Sequence, residues 1–288
     1  MATDYSIWAF QYARSNMPRD FFGGTLINSN TGTVRNPMIY SAILGGTDSG
    51  AVKPIVIDTG MKGDFSPSGK GYDNVEHPKT ILSKIGVTPA DVETVILTHL
   101  HFDHAGNLDQ FPNATFYVQR TEYDGWKRVF ELPGELGNDN KAWPLSSINQ
   151  ADFVILERLI AEGRVAMLEG DTKIAPGVTC RLARDTHTFG SQWVEIITRN
   201  GPYVVAGDCV YWYVNIERMW PPGYVQGNTW NLIETYRRLR ALLNDDVNRI
   251  VPGHDPELFE RHPSWMAGHN PVAEIHLAKG AISRRPIV

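Results

Sequence analysis

Cysteine is scarce in this sequence of 288 residues, which contains only Cys180 and Cys209. Two cysteines cannot form the disulfide framework of a small secreted protein, so hydrophobic burial must stabilise the fold. No apolar run is long enough to span a bilayer, and the first twenty residues lack a basic start followed by an apolar stretch. These absences predict a cytoplasmic protein without a membrane partner.

Positive charge is also not in excess, because the sequence has 27 Lys and Arg but 32 Asp and Glu, which gives a net charge of -5. A surface of this sign argues against a nucleic-acid partner. The sequence contains no glycine-rich nucleotide-binding motif, no internal repeat and no low-complexity tract. A hydrophobic share of 42% is ordinary for a globular protein. Composition and charge therefore predict a globular protein without a nucleic-acid partner.

Hydrophobic alternation predicts strands in two groups, each followed by helix. The predicted strands lie in residues 38–60, 92–99, 115–120, 178–187, 192–199, 202–208 and 249–254, and the predicted helices in residues 77–86, 121–130 and 229–243. Asn200-Gly201 predicts a hairpin turn, and Asn228 is placed to cap the last helix. This order predicts an α/β sandwich, with two β-sheets and helices outside them.

The stretch THLHFDHAGN holds three histidines and an aspartate within six residues. Side chains alternate along an extended segment, so His99 and His101 point the same way and can share one metal ion. Asp103 and His104 follow where the chain turns, so they can address a second ion nearby. Gly106 lacks a side chain, which lets the backbone turn tightly under the site. The stretch therefore predicts half of a binuclear metal site.

Three further residues at the ends of predicted strands can complete this site, namely His187, Asp208 and His254. If Asp208 bridges, each ion receives four protein ligands: His99, His101, His187 and Asp208 for one, and Asp103, His104, His254 and Asp208 for the other. Imidazole and carboxylate without thiolate favour zinc, although iron, cobalt and manganese can use the same set. Asp58 ends a buried strand, and we interpret it as a residue that orients a ligand.

These residues resemble the metallo-β-lactamase superfamily and, within it, the N-acyl homoserine lactonases. The motif H-x-H-x-D-H at residues 99–104 is the superfamily signature, and the later ligands follow in the family's order. Phe102 between the ligands, VQRTEY at 118–123, and Tyr211 three residues after Asp208 are similar to the lactonases in particular. The resemblance runs from about residue 38 to residue 260.

The resemblance implies an αβ/βα four-layer sandwich, with two mixed sheets flanked by helices. We expect residues 1–288 to form one such domain, with residues 1–37 as an N-terminal extension and residues 261–288 as a C-terminal tail packing on it. The sequence also departs from the family. Residues 185–192 read DTHTFGSQ where the family usually has Thr-Pro-Gly-His-Ser-Pro-Gly-His. The N-terminal 37 residues and the aromatic run at 211–224 do not resemble the family.

The resemblance also implies a binuclear zinc hydrolase that opens a lactone ring by attack of a metal-bridging hydroxide. Asp103 would relay a proton to the leaving alkoxide, and the Tyr211 hydroxyl would stabilise the negative charge on the carbonyl oxygen. Phe102 and Tyr211 are predicted to bind substrate. The same prediction extends to Trp212, Tyr213 and Trp220, although core packing explains any one aromatic equally well.

Other functions stay open at this point. A related metallohydrolase acting on another small-molecule ester, amide, lactam or imide ring in catabolism would use the same ligands. A non-catalytic binding protein is disfavoured, because relatives without activity usually lose ligands and all seven are present here. A homodimer is compatible with the sequence.

Overall fold

The computed structural model describes residues 4–23, 32–46, 53–62, 71–132 and 143–286, which form strands, α-helices and short 3-10 turns. The strands are β1 (Tyr5–Pro18), β2 (Thr33–Gly45), β3 (Ile55–Ile57), β4 (Thr94–Ile96), β5 (Thr115–Gln119), β6 (Val165–Leu168), β7 (Thr172–Ala175), β8 (Val178–Arg184), β9 (Gly190–Thr198), β10 (Gly201–Gly207), β11 (Ile250–Pro252), β12 (Ser264–Ala267) and β13 (Asn270–His276). The α-helices are α1 (Asp20–Gly23), α2 (Pro78–Ser83), α3 (Arg120–Phe130), α4 (Gln150–Ala161), α5 (Tyr213–Arg218), α6 (Thr229–Leu242) and α7 (Leu258–Arg261).

The strands form two mixed sheets. The larger has eight strands in the order β12-β13-β1-β2-β3-β4-β5-β6, and the smaller has five in the order β11-β10-β9-β8-β7. In the larger sheet β3, β4, β5 and β6 run parallel, and the strands from β12 to β3 pair antiparallel. In the smaller sheet only β10 and β11 run parallel. The predicted pair of mixed sheets is confirmed.

Alternating side chains of β1 pack into two different hydrophobic clusters, one on each face of the larger sheet. Ile7 joins residues of both sheets, among them Val194, in a cluster between them. Trp8 belongs to the other cluster, which covers the outer face under α2 and α4. On the opposite side α6 packs on the smaller sheet through residues that include Tyr236. The order helix, sheet, sheet, helix confirms the predicted four-layer α/β sandwich.

Two local predictions from the sequence are confirmed where their residues are described. The turn at Asn200 joins β9 to β10, and Thr198 pairs with Gly201 in an antiparallel register. Asn228 caps α6, because its side chain accepts hydrogen bonds from the backbone N–H groups of Trp230 and Asn231 at 2.8 and 3.3 Å. Both signals are local, so the sequence carries them directly.

The two ends of the chain take part in the larger sheet itself. β1 comes from the segment 1–37, and it lies between β13 and β2 in the sheet order. β12 and β13 come from the segment 261–288. The segments predicted as an N-terminal extension and a C-terminal tail thus contribute the strands β1, β12 and β13 to the larger sheet, and that they form one domain with the rest of the chain stays a prediction. Among the described residues, no helix is long and apolar enough to cross a membrane.

Candidate metal centre

The seven predicted ligands meet at one edge of the sandwich. His99, His101, Asp103 and His104 lie in the segment after β4, and His187, Asp208 and His254 follow β8, β10 and β11. Every one of these residues is at most 7% exposed. Strand ends from both sheets therefore bring together groups that are far apart in the sequence.

The ligand atoms fall into two groups, which are His99, His101, His187 and Asp208 on one side and Asp103, His104 and His254 on the other. Within each group the atoms lie within 4.8 Å of one another. Asp208 connects the groups: its Oδ2 is 3.2 Å from His187 Nε2, and its Oδ1 is 3.1 Å from the Nε2 atoms of both His104 and His254. One carboxylate thus presents an oxygen to each group, as the bridging arrangement requires.

Several of these atoms are buried without a hydrogen-bond partner among the described residues. They include His99 Nε2, His104 Nε2 and Asp208 Oδ1. Buried polar groups are normally paired, and an unpaired imidazole nitrogen beside a carboxylate oxygen is the donor set of a divalent metal. The residues present therefore fit two divalent ions, one in each group.

The electrostatics of the cluster suit a bound cation. Burial, together with neighbouring imidazoles, lowers the pKa of His99 and of His101 well below its usual value, so both rings are neutral. Burial opposes ionisation of Asp208, but His254 and His104 hold its pKa well below the usual range. Burial likewise opposes protonation of His104, and the surrounding carboxylates, Asp208 first, still raise its pKa. This second group therefore attracts positive charge, which a metal ion supplies.

Backbone contacts under the centre fix the turn that carries the ligands. A side chain at Gly106 would meet the backbone oxygen of Gly60 at 2.6 Å, so the turn needs glycine here. Asn107 donates from Nδ2 to the backbone oxygens of Thr59 and Met61 at 3.0 and 2.7 Å. Tyr12, on β1, donates its hydroxyl to the backbone oxygen of Asp103 at 2.5 Å. The first strand of the chain thus supports the ligand turn.

His99 Nδ1 lies 3.1 Å from the Thr98 hydroxyl, and the far nitrogens of three further ligand rings are held by neighbouring groups. Asp58 accepts from His104 Nδ1 at 2.8 Å and also from the backbone N–H of Thr98 at 2.7 Å. The geometry agrees with the orienting role proposed for Asp58. His254 Nδ1 donates to the backbone oxygen of Pro37 at 3.0 Å. Such contacts fix the tautomer and direct the other ring nitrogen at the metal.

The third ring, His101, is held by Gln226, which the sequence did not single out. His101 Nε2 donates to Gln226 Oε1 at 2.8 Å, and the Ser147 hydroxyl donates to the same oxygen at 2.6 Å. His101 Nδ1 consequently faces inward, 3.0 Å from His187 Nε2. Gln226 therefore links the segment at 143–149 to a metal-facing histidine.

Glu122 joins the ligand turn to the loop that carries His187. It is fully buried and accepts hydrogen bonds from the backbone N–H of Leu100 at 3.0 Å and of Gly190 at 2.7 Å. The Trp126 indole and the Thr188 hydroxyl also donate to it, each at 2.8 Å. Burial raises the pKa of Glu122, and the four donors oppose that rise. The residue belongs to the VQRTEY stretch noted in the sequence.

A mostly apolar cavity of about 170 Å³ opens onto the centre. Its lining residues are Met17, Phe21, Phe22, Asn36, Met38, Tyr72, His101, Phe102, Asp103, Ser146, Ser147, Asp208, Tyr211, Tyr224 and His254. Two of the aromatics predicted to bind substrate, Phe102 and Tyr211, are in this wall. The Tyr211 hydroxyl lies 3.4 Å from His187 Nε2, at the edge of the metal centre. The cavity therefore combines an apolar wall with the polar floor that the ligands form.

Two other aromatics predicted to bind substrate, Tyr213 and Trp220, lie outside the cavity lining. Tyr213 is 0% exposed, its hydroxyl donates to the backbone oxygen of Ile250 at 2.9 Å, and the Arg261 guanidinium covers its ring at 3.9 Å. Trp220 packs against the Arg218 guanidinium, 5.0 Å from its ring centre. Neither is among the described residues that line the cavity. Core and surface packing account for both side chains.

Trp212 stands behind the cavity wall and does not line it. Its ring stacks on Phe22 with centroids 5.0 Å apart, and its Nε1 donates to the backbone oxygen of His254 at 2.9 Å. In the structure Trp212 therefore supports the cavity wall and the metal-binding His254, and its predicted contact with substrate stays a prediction.

The N-terminal segment contributes residues to the cavity wall that the sequence did not single out. Phe21 stacks on Tyr224 with centroids 4.8 Å apart and also faces Tyr211 at 6.2 Å. The sequence does show an aromatic pair, Phe21-Phe22, before two glycines. No local pattern predicts that this pair lies near residue 211. Only the pairing of β1 with β2 brings it there.

Comparison with known families agrees with this geometry. A profile of the metallo-beta-lactamase superfamily matches residues 44–254, which is most of the chain. The chain belongs to the metallo-β-lactamase superfamily. The predicted family is therefore confirmed, and members of this superfamily include metal-dependent hydrolases such as the relatives below.

Two superfamily relatives are N-acyl homoserine lactonases. The chain is 26% identical over 197 residues to N-acyl homoserine lactonase AttM of Azorhizobium caulinodans, covering 63% of this chain and 66% of that protein, just under two thirds of its length. It is 26% identical over 221 residues to an N-acyl homoserine lactonase of a Bacillus species, covering 71% of this chain and 77% of that protein.

Solved structures of the superfamily share the fold. An N-acyl homoserine lactone hydrolase with the product N-hexanoyl-L-homoserine at its catalytic metal center matches with a TM-score of 0.66 at 22% identity, covering 90% of this chain and 96% of that one. The dizinc quorum-quenching lactonase AidC matches with a TM-score of 0.67 at 15% identity, covering 98% and 97%. At these identities the likeness establishes the fold.

Proposed function

We propose that this protein is a binuclear metal-dependent hydrolase that opens a lactone ring of the N-acyl homoserine lactone kind. The observation that carries the proposal is Asp208, which presents one oxygen to each of two ligand groups at the floor of an apolar cavity. The lactonases that are 26% identical to the chain support the substrate class.

Zinc is the metal we propose for both groups, because the donors are imidazole and carboxylate. One ion would be held by His99, His101 and His187. The other ion would be held by Asp103, His104 and His254. Asp208 would bind both ions. When bound, such a pair of ions lowers the pKa of coordinated water and polarises a carbonyl group.

The chain's own residues would then bind the substrate and move a proton. Water adds to the ring carbonyl carbon, the ring C–O bond breaks, and the leaving oxygen takes a proton to become an alcohol. Burial, followed by the charges of Asp208 and Asp103, raises the pKa of Tyr211 well above its usual value. Its hydroxyl therefore keeps its proton and can donate to the carbonyl oxygen as charge develops.

Asp103 is placed for the proton transfer. Asp103 lines the cavity, and its Oδ2 lies 3.5 Å from His254 Nε2. We propose that it carries the proton from the attacking water to the leaving alkoxide. Phe102 and the aromatic wall would hold the apolar part of the substrate and exclude bulk water from the ring.

A panel of substrates tests this function. Zinc-loaded protein would be assayed in weak buffer for proton release from N-acyl homoserine lactones of rising chain length, simple γ- and δ-lactones, a lactam, an imide and a phosphotriester. We expect turnover of lactones. Turnover of a lactam, an imide or a phosphotriester without any lactone would contradict the lactonase proposal and leave a related ring-opening metallohydrolase in its place.

Two further properties remain predictions. A cytoplasmic location is consistent with the scarce cysteines, and fractionation of the source cell tests it. A homodimer would be detected by light scattering during size-exclusion chromatography.

A further inference from the structure

One side chain in the cavity wall is polar, buried and unpaired. Asn36 is 1% exposed and lines the same cavity as Asp103 and Asp208. Neither its Nδ2 nor its Oδ1 has a hydrogen-bond partner among the described residues. A buried carboxamide without partners is unfavourable, and proteins retain few of them. A ligand in the cavity would supply the missing partners.

The backbone holds Asn36 at a fixed place relative to the metal centre. It lies on β2, where it pairs with Ser15 of β1. The next residue, Pro37, accepts a hydrogen bond from His254 Nδ1 at 3.0 Å. Met38, two positions further along the strand, lines the cavity as well, as expected for side chains on one face. Asn36 is therefore a rigidly mounted group, well suited to select a substrate.

The chemistry of a carboxamide limits what it can recognise. Nδ2 donates hydrogen bonds, and Oδ1 accepts them. A bare lactone ring offers only acceptor oxygens, so it would leave Oδ1 of Asn36 unpaired. A lactone with an acylated amino group next to the ring offers an N–H donor in addition to its carbonyl oxygens. Such a ligand can satisfy both ends of the side chain.

We propose that Asn36 is a specificity-determining residue that recognises the amide group of an N-acylamino lactone. Oδ1 accepts from the amide N–H, and Nδ2 donates to a carbonyl oxygen of the same molecule. The acyl chain then packs on the apolar wall near Phe21 and Met38. This inference rests on the proposed lactonase function and names a residue that selects its substrate.

The test measures kcat/KM of the wild type and of Asn36→Leu with two substrates. The leucine side chain is similar in size to asparagine and has no polar atoms. One substrate is N-hexanoyl homoserine lactone, and the other is γ-decanolactone, which carries an apolar chain without an amide. We expect Asn36→Leu to lower kcat/KM for the amide substrate about 10- to 100-fold, mainly through KM, because its amide loses its partner. For γ-decanolactone kcat/KM should change less than about twofold, or rise.

Ser15→Ala is the matched control. Ser15 Oγ is also buried and unpaired among the described residues, and it sits opposite Asn36 on β1, but it does not line the cavity. It should leave both substrates unaffected. Thermal unfolding of the free protein provides a second readout, since replacing an unpaired buried amide by an apolar group should keep or raise the Tm.

Three outcomes would overturn the assignment of Asn36: equal losses with both substrates, no loss with either, or a clear fall in Tm for Asn36→Leu. The first two leave the lactonase function standing, because the wild-type protein still opens both rings. If the wild-type protein opens neither ring, the proposed function fails and this inference fails with it.

Discussion

Gln226 is the residue whose removal best tests how the metal centre is held. Its Oε1 accepts from His101 Nε2 at 2.8 Å, which leaves His101 Nδ1 as the atom that faces the other ligands. We predict that Gln226→Met, which keeps the length of the side chain and loses the acceptor, weakens metal binding in the group of His99, His101 and His187. The ring would be free to turn and to change tautomer.

The expected size follows from this single contact. Loss of an outer partner of a metal-binding histidine typically costs 10- to 100-fold in metal affinity, about 1.4–2.7 kcal/mol. The other outer contacts, of His99 with Thr98, of His104 with Asp58 and of His254 with Pro37, do not involve Gln226. Only one of the two ions should therefore be lost more easily.

Zinc competition with a chromophoric chelator measures both dissociation constants. We expect one to rise about 10- to 100-fold in Gln226→Met and the other to change less than about threefold. Ser147→Ala is the control, because it removes the second donor to Gln226 Oε1 and leaves the oxygen in place for His101. Wild-type affinity for both ions in Gln226→Met, or equal damage from Ser147→Ala, would refute this account of the site.

Three other predictions concern individual side chains of the site and of the core. Asp208→Ala should leave less than one equivalent of zinc by elemental analysis, because Asp208 faces both ligand groups; two full equivalents would contradict the bridge. Tyr211→Phe should lower kcat about 10- to 100-fold with unchanged metal content. The control Tyr213→Phe, in the core, should leave kcat within about twofold of wild type. Equal kcat values in both variants would exclude a catalytic role for Tyr211. Burial raises the pKa of Asp152 to about 6 from an ordinary 3.8. The folded state therefore binds this proton more tightly than the unfolded state, and its stability falls as pH rises from about 4 through about 6, by up to about 3 kcal/mol. In urea unfolding of the metal-free protein, Asp152→Asn should gain little over wild type at pH 4 and most at pH 8; a gain that does not grow with pH would refute this.

The chemistry of the centre could be read from the sequence because its signals are short-range. The spacing of His99, His101, Asp103 and His104 is fixed by a few bonds, and a strand followed by a tight turn can present such side chains in few ways. The hairpin at Asn200-Gly201 and the cap at Asn228 were predictable for the same reason. Asp208 could be predicted as a ligand from its residue type and its place at the end of a strand, but its position between the two ligand groups depends on strands from both sheets.

The wall of the cavity was decided by the tertiary structure. Tyr211, Trp212 and Tyr213 are consecutive aromatics, yet one faces the cavity, one supports its wall and one lies in the core. Aromatic side chains are equally suited to a core and to a pocket, so composition could not separate them. Only the turn after β10 decides which way each one points.

The N-terminal segment shows the same limit at longer range. Tyr12, Phe21 and Asn36 reach the metal centre because β1 and β2 pair inside the larger sheet, and no local pattern links them to ligands more than sixty residues away. By itself the sequence determined which atoms can bind metal, since ligand chemistry belongs to residue types and near neighbours. Which side chains surround those atoms depends on contacts between distant strands, and these exist only once the sheets have formed.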